Sequence, residues 1–469
     1  MLSNTVSIRP LLRDISAYTF GDVLTKGIGF LTIVIYSYFL SQEEMGVYGY
    51  LMVLLGFCTT FLILGFDNAY ARFFFEQKSE SGLQKLTSTL FWFLLIWFFL
   101  LFLIYFSAND FLASLLFENQ DHQKVLIWAI LSLPLKLFSV LSNQALRNQF
   151  KKRLFVLYNV LTATITIISA ILLLQFSEYG LISIFFAILL GDIVILPFRL
   201  NSISNFLKFQ MDTVVLKQAL KYGVPFLPVS IAYWIFSGAD RFMLEQLTDL
   251  ETVGRYTVAV TLSGVMSVVS GGIGNAWSPH AVKMYENNEE EAKSLYKRFL
   301  KVLIVLPLVL ISLVCFFGKE VIQIILDQEY KSIFYPFLIL VIGVSFKLTT
   351  QVTAVGISLK KKTQYFTIIT FFVAFLNIGL NAILIPLYSE IGAAIATLIS
   401  YCFLTVIYSV VSQKLFYVAY NKTFNFICLL GLVMFFLISF LNFPFRIILF
   451  IIGLSVVLWK RELILNKIK

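Results

Sequence analysis

The sequence has 469 residues, of which 59% are hydrophobic and 13% are charged. Its mean hydropathy of +0.87 excludes a soluble protein and indicates a polytopic membrane protein. The formal net charge of +10 would favour nucleic acid as the partner of a soluble domain. In a membrane protein, basic residues instead mark one side of the bilayer, so no nucleic acid partner is expected.

Fourteen apolar runs are long enough to be helices that cross the roughly 30 Å of a bilayer's hydrocarbon core. The runs lie near residues 15–40, 46–70, 87–106, 124–146, 154–176, 180–198, 222–246, 254–280, 301–317, 332–358, 364–387, 391–411, 424–441 and 443–459. The sequence therefore predicts an all-α membrane protein with about fourteen transmembrane helices. The last two runs are separated by a very short connection and predict a helical hairpin.

The loops between these runs differ in charge from one side to the other. Of the 36 Lys and Arg residues, 27 lie in alternate loops that include both ends of the chain, and only five lie in the remaining loops. Cytoplasmic loops carry this excess of basic residues. Both termini are therefore predicted to be cytoplasmic, and the first fourteen residues, without a cleavage-like site, are predicted to be retained.

A stretch that contains a lysine inside an apolar run occurs twice in the chain. Lys136 is followed by a basic cluster at 147–153, and Lys347 is followed by a basic cluster at 360–362. Each copy then reaches a similar turn, at 177–180 and at 389–392. Spans 1–6 and 7–12 are thus predicted to be two six-helix units with the same orientation. Such units imply a pseudo-twofold axis along the membrane normal and a cavity between two lobes.

This repeat divides the chain into four predicted parts. Residues 1–200 form an N-terminal six-helix lobe, and residues 201–221 form a cytoplasmic linker. Residues 222–418 form a C-terminal six-helix lobe, and residues 419–469 form the helical hairpin and a cytoplasmic tail.

Charged residues inside the spans are the candidate functional residues, because a charge at a helix centre costs roughly 2.5 to 3.5 kcal/mol on insertion scales. The basic ones, which are candidate substrate-binding residues, are Lys26, Lys136, Arg241 and Lys347. The acidic ones, which are candidate charge partners or ion-coupling groups, are Asp22, Asp192 and Asp240. Asp22 and Lys26 are one helical turn apart and can pair on one helix face. Alternatively, Lys26 helps to capture a substrate and Asp22 orients it.

Lys136 and Lys347 occupy the same repeat position, and neither has an acidic residue nearby in the sequence. Two cations that face a midplane cavity suit an anionic substrate, and phosphate is the commonest small anion that lysine binds. We expect both lysines to bind the substrate. The alternative is that they only hold helices together.

Pro225 and Pro228 lie early in the seventh span and remove two backbone donors within one turn. They predict a hinge that moves Asp240 and Arg241, or alternatively a fixed kink. The four cysteines lie in apolar runs without paired spacing, so no disulfide, metal site or cofactor is expected. The sequence also lacks a nucleotide-binding P-loop and a large outer loop, so an enzyme is not expected.

Several short motifs in a fixed order carry a resemblance to a known family. They are Gly46-Val47-Tyr48, Gly65-Phe66-Asp67 with Ala71-Arg72-Phe73, Tyr222 to Pro228 with Asp240-Arg241, and Ala276-Trp277-Ser278-Pro279. With fourteen spans, this order resembles the bacterial polysaccharide exporters of the multidrug/oligosaccharidyl-lipid/polysaccharide superfamily, in particular the flippases of O-antigen or capsule repeat units. The motif that contains Arg72 adds this residue to the candidate substrate-binding residues.

The resemblance implies a V-shaped two-lobe protein of the bacterial cytoplasmic (inner) membrane. Such a protein moves undecaprenyl-diphosphate-linked oligosaccharide to the outer leaflet by alternating access, for O-antigen in lipopolysaccharide or for capsule. It would use a proton or sodium gradient or the membrane potential, and a polysaccharide polymerase and chain-length proteins would be its partners. A peptidoglycan-precursor flippase remains open. A cation-coupled drug antiporter is the other alternative, although such exporters usually have twelve spans.

Overall fold

The structure is a computed structural model that describes Leu24, residues 27–107 and residues 120–452. Helices account for the regular structure in these residues. In chain order they are α1 (Gly27–Tyr36), α2 (Gln42–Leu62), α3 (Phe66–Phe74), α4 (Glu80–Ser107), α5 (Gln120–Leu131), α6 (Leu133–Asn148), α7 (Lys152–Phe176), α8 (Leu181–Ile203), α9 (Thr213–Gly223), α10 (Leu227–Leu247), α11 (Leu250–Asn287), α12 (Glu289–Ile325), α13 (Phe334–Thr353), α14 (Val355–Leu359), α15 (Gln364–Leu415), α16 (Lys422–Ile438) and α17 (Phe443–Ile452).

The helices are long and apolar, as expected for a membrane protein. Within the described ranges, nine helical segments are long and apolar enough to cross a bilayer, and α1, α16 and α17 are shorter apolar helices. The prediction of an all-α polytopic membrane protein is therefore confirmed. The count of fourteen spans stays a prediction, because the first and last runs extend beyond the described residues.

The repeat is visible in how the helices of the two copies end. Phe150 follows α6 and Lys361 follows α14, and each has a φ of 56°. The amide of the residue that follows Phe150 donates a hydrogen bond of 2.9 Å to the carbonyl oxygen five positions back, and the amide of the residue that follows Lys361 donates an equivalent bond of 3.0 Å. This is the hydrogen bond of a Schellman cap. Phe150 follows Lys136 at the same distance along the chain as Lys361 follows Lys347. The structure thus supports the predicted register of this part of the repeat.

The turn that follows corrects the predicted register. The sequence matched Gly180 with Gly392, but the structure gives the conformation of Gly180 (φ 51°, ψ −127°) to Ser389 (φ 50°, ψ −129°). The second connection is therefore two positions shorter, and the offset between the two copies falls from 211 before the turn to 209 after it. Ser389 joins the two helices that make up α15. Gly392 has another role, because a Cβ there would lie 2.1 Å from the Leu384 carbonyl oxygen.

α2 and α11 begin at equivalent caps in the two copies of the repeat. The Ser41 hydroxyl accepts a hydrogen bond from the Glu44 amide (3.2 Å), and the Glu44 carboxylate accepts one from the Ser41 amide (3.0 Å). This capping box satisfies donors that the first helical turn leaves unpaired. In the second copy the Asp249 carboxylate accepts from the Thr252 amide at 2.7 Å.

These two helices pack against each other through a pair of repeat-related glycines. A Cβ on Gly46 would lie 1.9 Å from the Leu250 carbonyl oxygen, and a Cβ on Gly254 would lie 2.0 Å from the Gln42 carbonyl oxygen. Leu250 and Gln42 are themselves repeat-related, with the same offset as the two glycines. The contact is therefore nearly self-complementary, as a twofold axis between two like surfaces requires. This supports the predicted pseudo-twofold relation of the lobes.

The predicted linker contains a helix that is attached to the first lobe. Asp212 caps α9 and lies 3.7 Å from Lys85 of α4. A hydrogen bond from the Val215 amide lowers the pKa of the Asp212 carboxyl below its usual value. Trp92 of α4 donates to the Lys208 carbonyl oxygen at 2.8 Å. The 3-10 turn Val224–Phe226, which contains Pro225, then joins α9 to α10, so the helix continues into the seventh predicted span through a locally tighter turn.

Two basic residues that the sequence placed in loops are buried. Arg446, at the start of α17, is 2% exposed, donates to the carbonyl oxygens of Cys315 and Phe316, and forms an ion pair with Glu320. It joins the C-terminal hairpin to α12. Arg199 of α8 is also 2% exposed. Neither residue is therefore the loop cation that its position at the end of an apolar run suggested.

Candidate functional site

A cavity of about 330 Å³ lies beside Lys347 in the second lobe. Residues of α10, α11, α13, α14 and α15 line it. Lys347 is half-buried on α13, and its ammonium group lies 5.3 Å from the centroid of the Tyr401 ring. The negative face of an aromatic ring stabilises a cation at this distance. The cavity therefore contains a cation in the middle of an apolar span.

Aromatic side chains form much of the cavity wall. They are Tyr233, Trp277, Phe366 and Tyr408. The Trp277 indole donates to the Gln351 carbonyl oxygen at 3.0 Å and stacks on Phe299 with centroids 4.0 Å apart, which fixes its ring. Thr350 and Ser358 add polar groups to the lining. Such a mixture of aromatic walls and a few polar groups is typical of a small-molecule site.

Lys136 occupies a different environment in the first lobe. It is half-buried on α6 and interacts electrostatically with Asp192 of α8, which is 8% exposed. Ser139 donates a hydrogen bond of 3.4 Å to the Asp192 carboxylate. The sequence showed no acidic residue near Lys136, because its partner comes from a helix much further along the chain. The residues that line the Lys347 cavity all belong to the second half of the chain and do not include Lys136.

Arg199 extends this charged cluster, and sequence reasoning missed it. Its guanidinium donates to Asn143 (2.8 Å), Asn159 (3.1 Å) and Ser142 (3.3 Å), and it interacts electrostatically with Asp192. Its Nε has no hydrogen-bond partner in the part of the chain that the structure describes. Asp192 and Arg199 are two helical turns apart and so lie on one helix face, and this was the signal that could have revealed the cluster.

Asp240 and Arg241 lie on α10 and have different partners. The Asp240 carboxylate, 6% exposed, accepts hydrogen bonds from the Tyr256 hydroxyl (2.6 Å) and from the Arg241 amide (2.9 Å). Arg241 is half-buried, and its Nε has no hydrogen-bond partner among the described residues. Asp240 thus connects α10 to α11, whereas the role of Arg241 in substrate binding stays a prediction.

Of the remaining predicted site residues, Arg72, Pro225 and Pro228 are described by the structure and do not line the cavity at Lys347. Arg72 forms an exposed ion pair with Glu76 at 2.8 Å. Asp22 and Lys26 lie outside the described residues, so their predicted pairing stays a prediction. Pro225 and Pro228 lie at the 3-10 turn Val224–Phe226 and at the start of α10. In the described part of the chain, His, Cys, Asp and Glu side chains form no group of three that could hold a metal ion.

The helices of two related six-helix units, with charges inside their spans, define a polytopic membrane protein of the transporter type. A family model described as "Polysaccharide biosynthesis protein" matches residues 35–335. Because this match covers more than half of the sequence, the chain belongs to that family. No curated protein sequence matches the chain.

Solved structures agree with the fold. The chain is similar to the lipid II flippase MurJ in an inward closed conformation, with a TM-score of 0.75, 19% identity, and coverage of 95% of this chain and 99% of MurJ. It is also similar to an inward-facing multidrug resistance MATE family transporter of the MOP superfamily, with a TM-score of 0.64, 17% identity, and coverage of 83% of this chain and 94% of that transporter. For a MOP superfamily transporter from Pyrococcus furiosus the TM-score is 0.59 and the identity is 16%, with coverage of 86% of this chain and 95% of that transporter. At such low identities the likeness to these structures shows the fold alone. Together with the family match, it confirms the predicted resemblance to this superfamily.

Proposed function

We propose that the protein is a flippase of the bacterial cytoplasmic membrane. It moves an undecaprenyl-diphosphate-linked oligosaccharide from the cytoplasmic leaflet to the outer leaflet, for O-antigen, capsule or another surface polysaccharide. The polysaccharide biosynthesis family and the MOP fold support this proposal. The observation that carries it is the cavity at Lys347.

The chemistry of this cavity suits a lipid-linked sugar. A lysine inside an apolar span is expensive unless a partner, water or ligand compensates its charge. A diphosphate supplies two adjacent anionic groups, and the Lys347 ammonium can bind them as a point charge. Thr350 and Ser358 offer hydroxyl groups that can hydrogen-bond sugar hydroxyls. Alternating access then requires the two lobes to separate first at one end and then at the other.

Replacing Lys347 tests the proposal directly. Lys347→Gln keeps a polar side chain of similar length and removes the charge, so we expect surface polysaccharide to fall at least about tenfold at normal protein level. Lys414→Gln, at an exposed lysine of the same lobe, is the matched control and should export normally. Surface polysaccharide is measured by immunoblotting in a deletion strain that carries each variant. Normal export by Lys347→Gln would contradict the proposal.

A peptidoglycan-precursor flippase is the second candidate function. The likeness to the lipid II flippase MurJ favours it, since that protein is similar over 95% of this chain. Rescue of a strain depleted of its lipid II flippase would support this candidate. Loss of surface polysaccharide without an effect on peptidoglycan would support the first. Asp192 and Asp240 are the proposed groups for coupling to a proton or sodium gradient, and a polymerase and chain-length proteins are the proposed partners.

A further inference from the structure

We infer that residues 204–212, which connect α8 to α9, form a membrane anchor. They dip into the cytoplasmic leaflet of the bilayer and place the Phe209 ring among the lipid chains. The inference refines the prediction of a cytoplasmic linker at residues 201–221. It concerns only how the linker meets the membrane, so it does not depend on which substrate the protein moves.

The loop first runs along α4 towards the middle of that helix. The Asn205 carbonyl oxygen accepts a hydrogen bond from the Gln84 side chain (3.0 Å), and the Lys208 carbonyl oxygen accepts one from the Trp92 indole (2.8 Å). Gln84 and Trp92 are eight residues apart, which is a rise of about 12 Å along an α-helix. α4 is apolar enough to span a bilayer, and its apolar run begins near residue 87. The loop therefore reaches the depth of that apolar run.

The loop then turns back towards the beginning of α4. The Asp212 amide donates a hydrogen bond of 2.9 Å to the Thr89 hydroxyl, and the Asp212 carboxylate lies 3.7 Å from the Lys85 ammonium. Phe209 lies between the descending and returning branches, and its ring packs against Trp92 with centroids 5.1 Å apart. Phe209 is therefore at the deepest part of the loop.

The backbone of the loop is paired as a segment in lipid requires. Lipid chains offer no hydrogen bonds, so a non-helical segment is stable at membrane depth only where protein satisfies its polar groups. The Ser88 hydroxyl accepts a hydrogen bond from the Lys208 amide (2.8 Å) and donates one to the Phe206 carbonyl oxygen (3.2 Å). Ser88 and Thr89 are both fully buried. These two polar residues of a membrane-spanning helix thus bind the backbone of the linker.

The Phe209 side chain is the part of the anchor that contacts lipid. It is 92% exposed at the protein surface. Exposure of a whole aromatic ring to water is unfavourable, whereas burial of the ring below the lipid headgroups is favourable. Trp92 shares a helix face with Leu95 and Phe99, which are exposed in the apolar part of α4. Phe209 therefore continues a lipid-facing surface, and this continuity indicates the bilayer rather than a protein partner.

A depth measurement by electron paramagnetic resonance tests the inference. Phe209→Cys is introduced into a chain without the four native cysteines, labelled with a nitroxide and placed in liposomes of phosphatidylethanolamine and phosphatidylglycerol. Collisions with oxygen, which concentrates in lipid, are compared with collisions with a nickel chelate, which stays in water. We expect the label to lie about 5 to 10 Å below the lipid phosphates.

Two positions of α4 calibrate the measurement. Ser81→Cys, exposed in the first turn, reports water, and Phe99→Cys, 57% exposed, reports lipid. A label at Phe209 that collides with nickel as often as the label at Ser81 would place the loop in water and overturn the inference. A label that neither reagent reaches would also overturn it, because a protein surface would then cover the ring.

Removing the hydroxyl of Ser88 tests how the loop is held. Ser88→Ala leaves two backbone groups of the loop without this partner, so we expect the label at Phe209 to move several ångströms towards water. Ser345→Ala is the matched control, because Ser345 is also a buried serine of a membrane helix but donates to Val341 of its own helix (2.7 Å). It should leave the depth of the label unchanged.

A label that keeps its depth in the Ser88→Ala variant would overturn the assignment of α4 as the support of the loop. If Ser88→Ala instead lowers the protein level, the label at Phe209 in the chain with Ser88 intact still tests the anchor itself.

Discussion

At one end of the molecule α2 and α11 pack together over several turns, whereas at the other end Gly65 touches Gly223, the last residue of the linker helix α9, which continues into α10 of the second lobe. From the predicted distribution of the basic loops, we call the first end the outer end and the second the inner end. Both contacts depend on glycine. A Cβ on Gly49 would lie 2.0 Å from the Thr257 hydroxyl oxygen, and a Cβ on Gly65 would lie 2.2 Å from the Gly223 carbonyl oxygen.

The outer contact is reinforced by polar groups. The Arg255 guanidinium donates to the Gln42 side chain across the lobes (2.8 Å), and an ion pair with Glu390 of its own lobe (3.1 Å) holds it in place. The Tyr330 hydroxyl donates to the Leu40 carbonyl oxygen at 2.9 Å. The outer end is therefore closed by backbone contact and by hydrogen bonds between the lobes.

The inner contact is smaller and lies next to a 3-10 turn. Gly65 has a φ of 70°, in the left-handed region, and Gly223 directly precedes the turn that contains Pro225. The Phe73 and Tyr222 rings pack beside the glycines, with centroids 5.5 Å apart. A short contact of this kind separates at less cost than a long interface does, so we expect the inner end to open more readily.

Filling the outer contact should have the largest effect. Gly254→Ala places a methyl group against the Gln42 backbone, which cannot move away as a side chain can. We expect the outer end to stay open and export to fall at least about tenfold. Gly264→Ala, in the same helix but with nothing within 4 Å, should export normally. Spin labels on cysteines at Tyr179 and Tyr388, in a chain without native cysteines, report the outer distance, and an unchanged distance would contradict the comparison.

The equivalent substitution at the inner contact should have a smaller effect. Gly65→Ala adds strain of about 1 kcal/mol in the left-handed region and crowds Gly223, so export should fall about fivefold. Labels at Lys151 and Lys362, which are repeat-related and exposed, should then move apart. Gly56→Ala meets ordinary contacts and serves as the control. A loss of export as large as that of Gly254→Ala would show that the two ends are closed equally firmly.

Removing the charge of Arg255 should weaken the outer contact without blocking it. Arg255→Gln loses the hydrogen bond to Gln42 across the lobes and the ion pair with Glu390 that holds the guanidinium in place, and because these groups are partly exposed we expect the contact to weaken by about 1 kcal/mol. The labelled outer distance should broaden, and export should change by about threefold. Glu390→Gln should have a similar effect, because it removes the other partner. If neither variant changes the distribution of outer distances, the glycine contacts alone close the outer end.

The sequence predicted features that depend on local pattern. Long apolar runs predicted the membrane fold, and the recurrence of a lysine with a basic cluster predicted the repeat, because both patterns are written in consecutive residues. The turn register was wrong, since Gly392 looks like a turn residue and instead allows two helices to pack closely. Ser389 takes the left-handed conformation without the glycine that would have indicated it.

The contacts of the candidate site could not be predicted from the sequence, because they join distant segments. Asp192 reaches Lys136, and Tyr401 reaches Lys347, only once the helices pack. Arg199 and Arg446 lie at the ends of apolar runs, where composition does not distinguish a buried arginine from a loop residue. Knowledge of the corrected register is needed before the two repeats can be compared position by position.

The prolines beside the inner contact should have the smallest effect and decide whether the 3-10 turn is a hinge. The double variant Pro225→Ala with Pro228→Ala restores two backbone donors and allows α-helical hydrogen bonds to run without a 3-10 turn from α9 into α10. We expect the distribution of inner distances between labels at Lys151 and Lys362 to narrow to one state, and export to fall about twofold. Pro197→Ala, at an exposed proline inside α8, controls for loss of a proline as such. If the double variant exports normally and keeps the same distribution of distances, the turn is a fixed kink, and opening of the cytoplasmic end must come from another part of the chain.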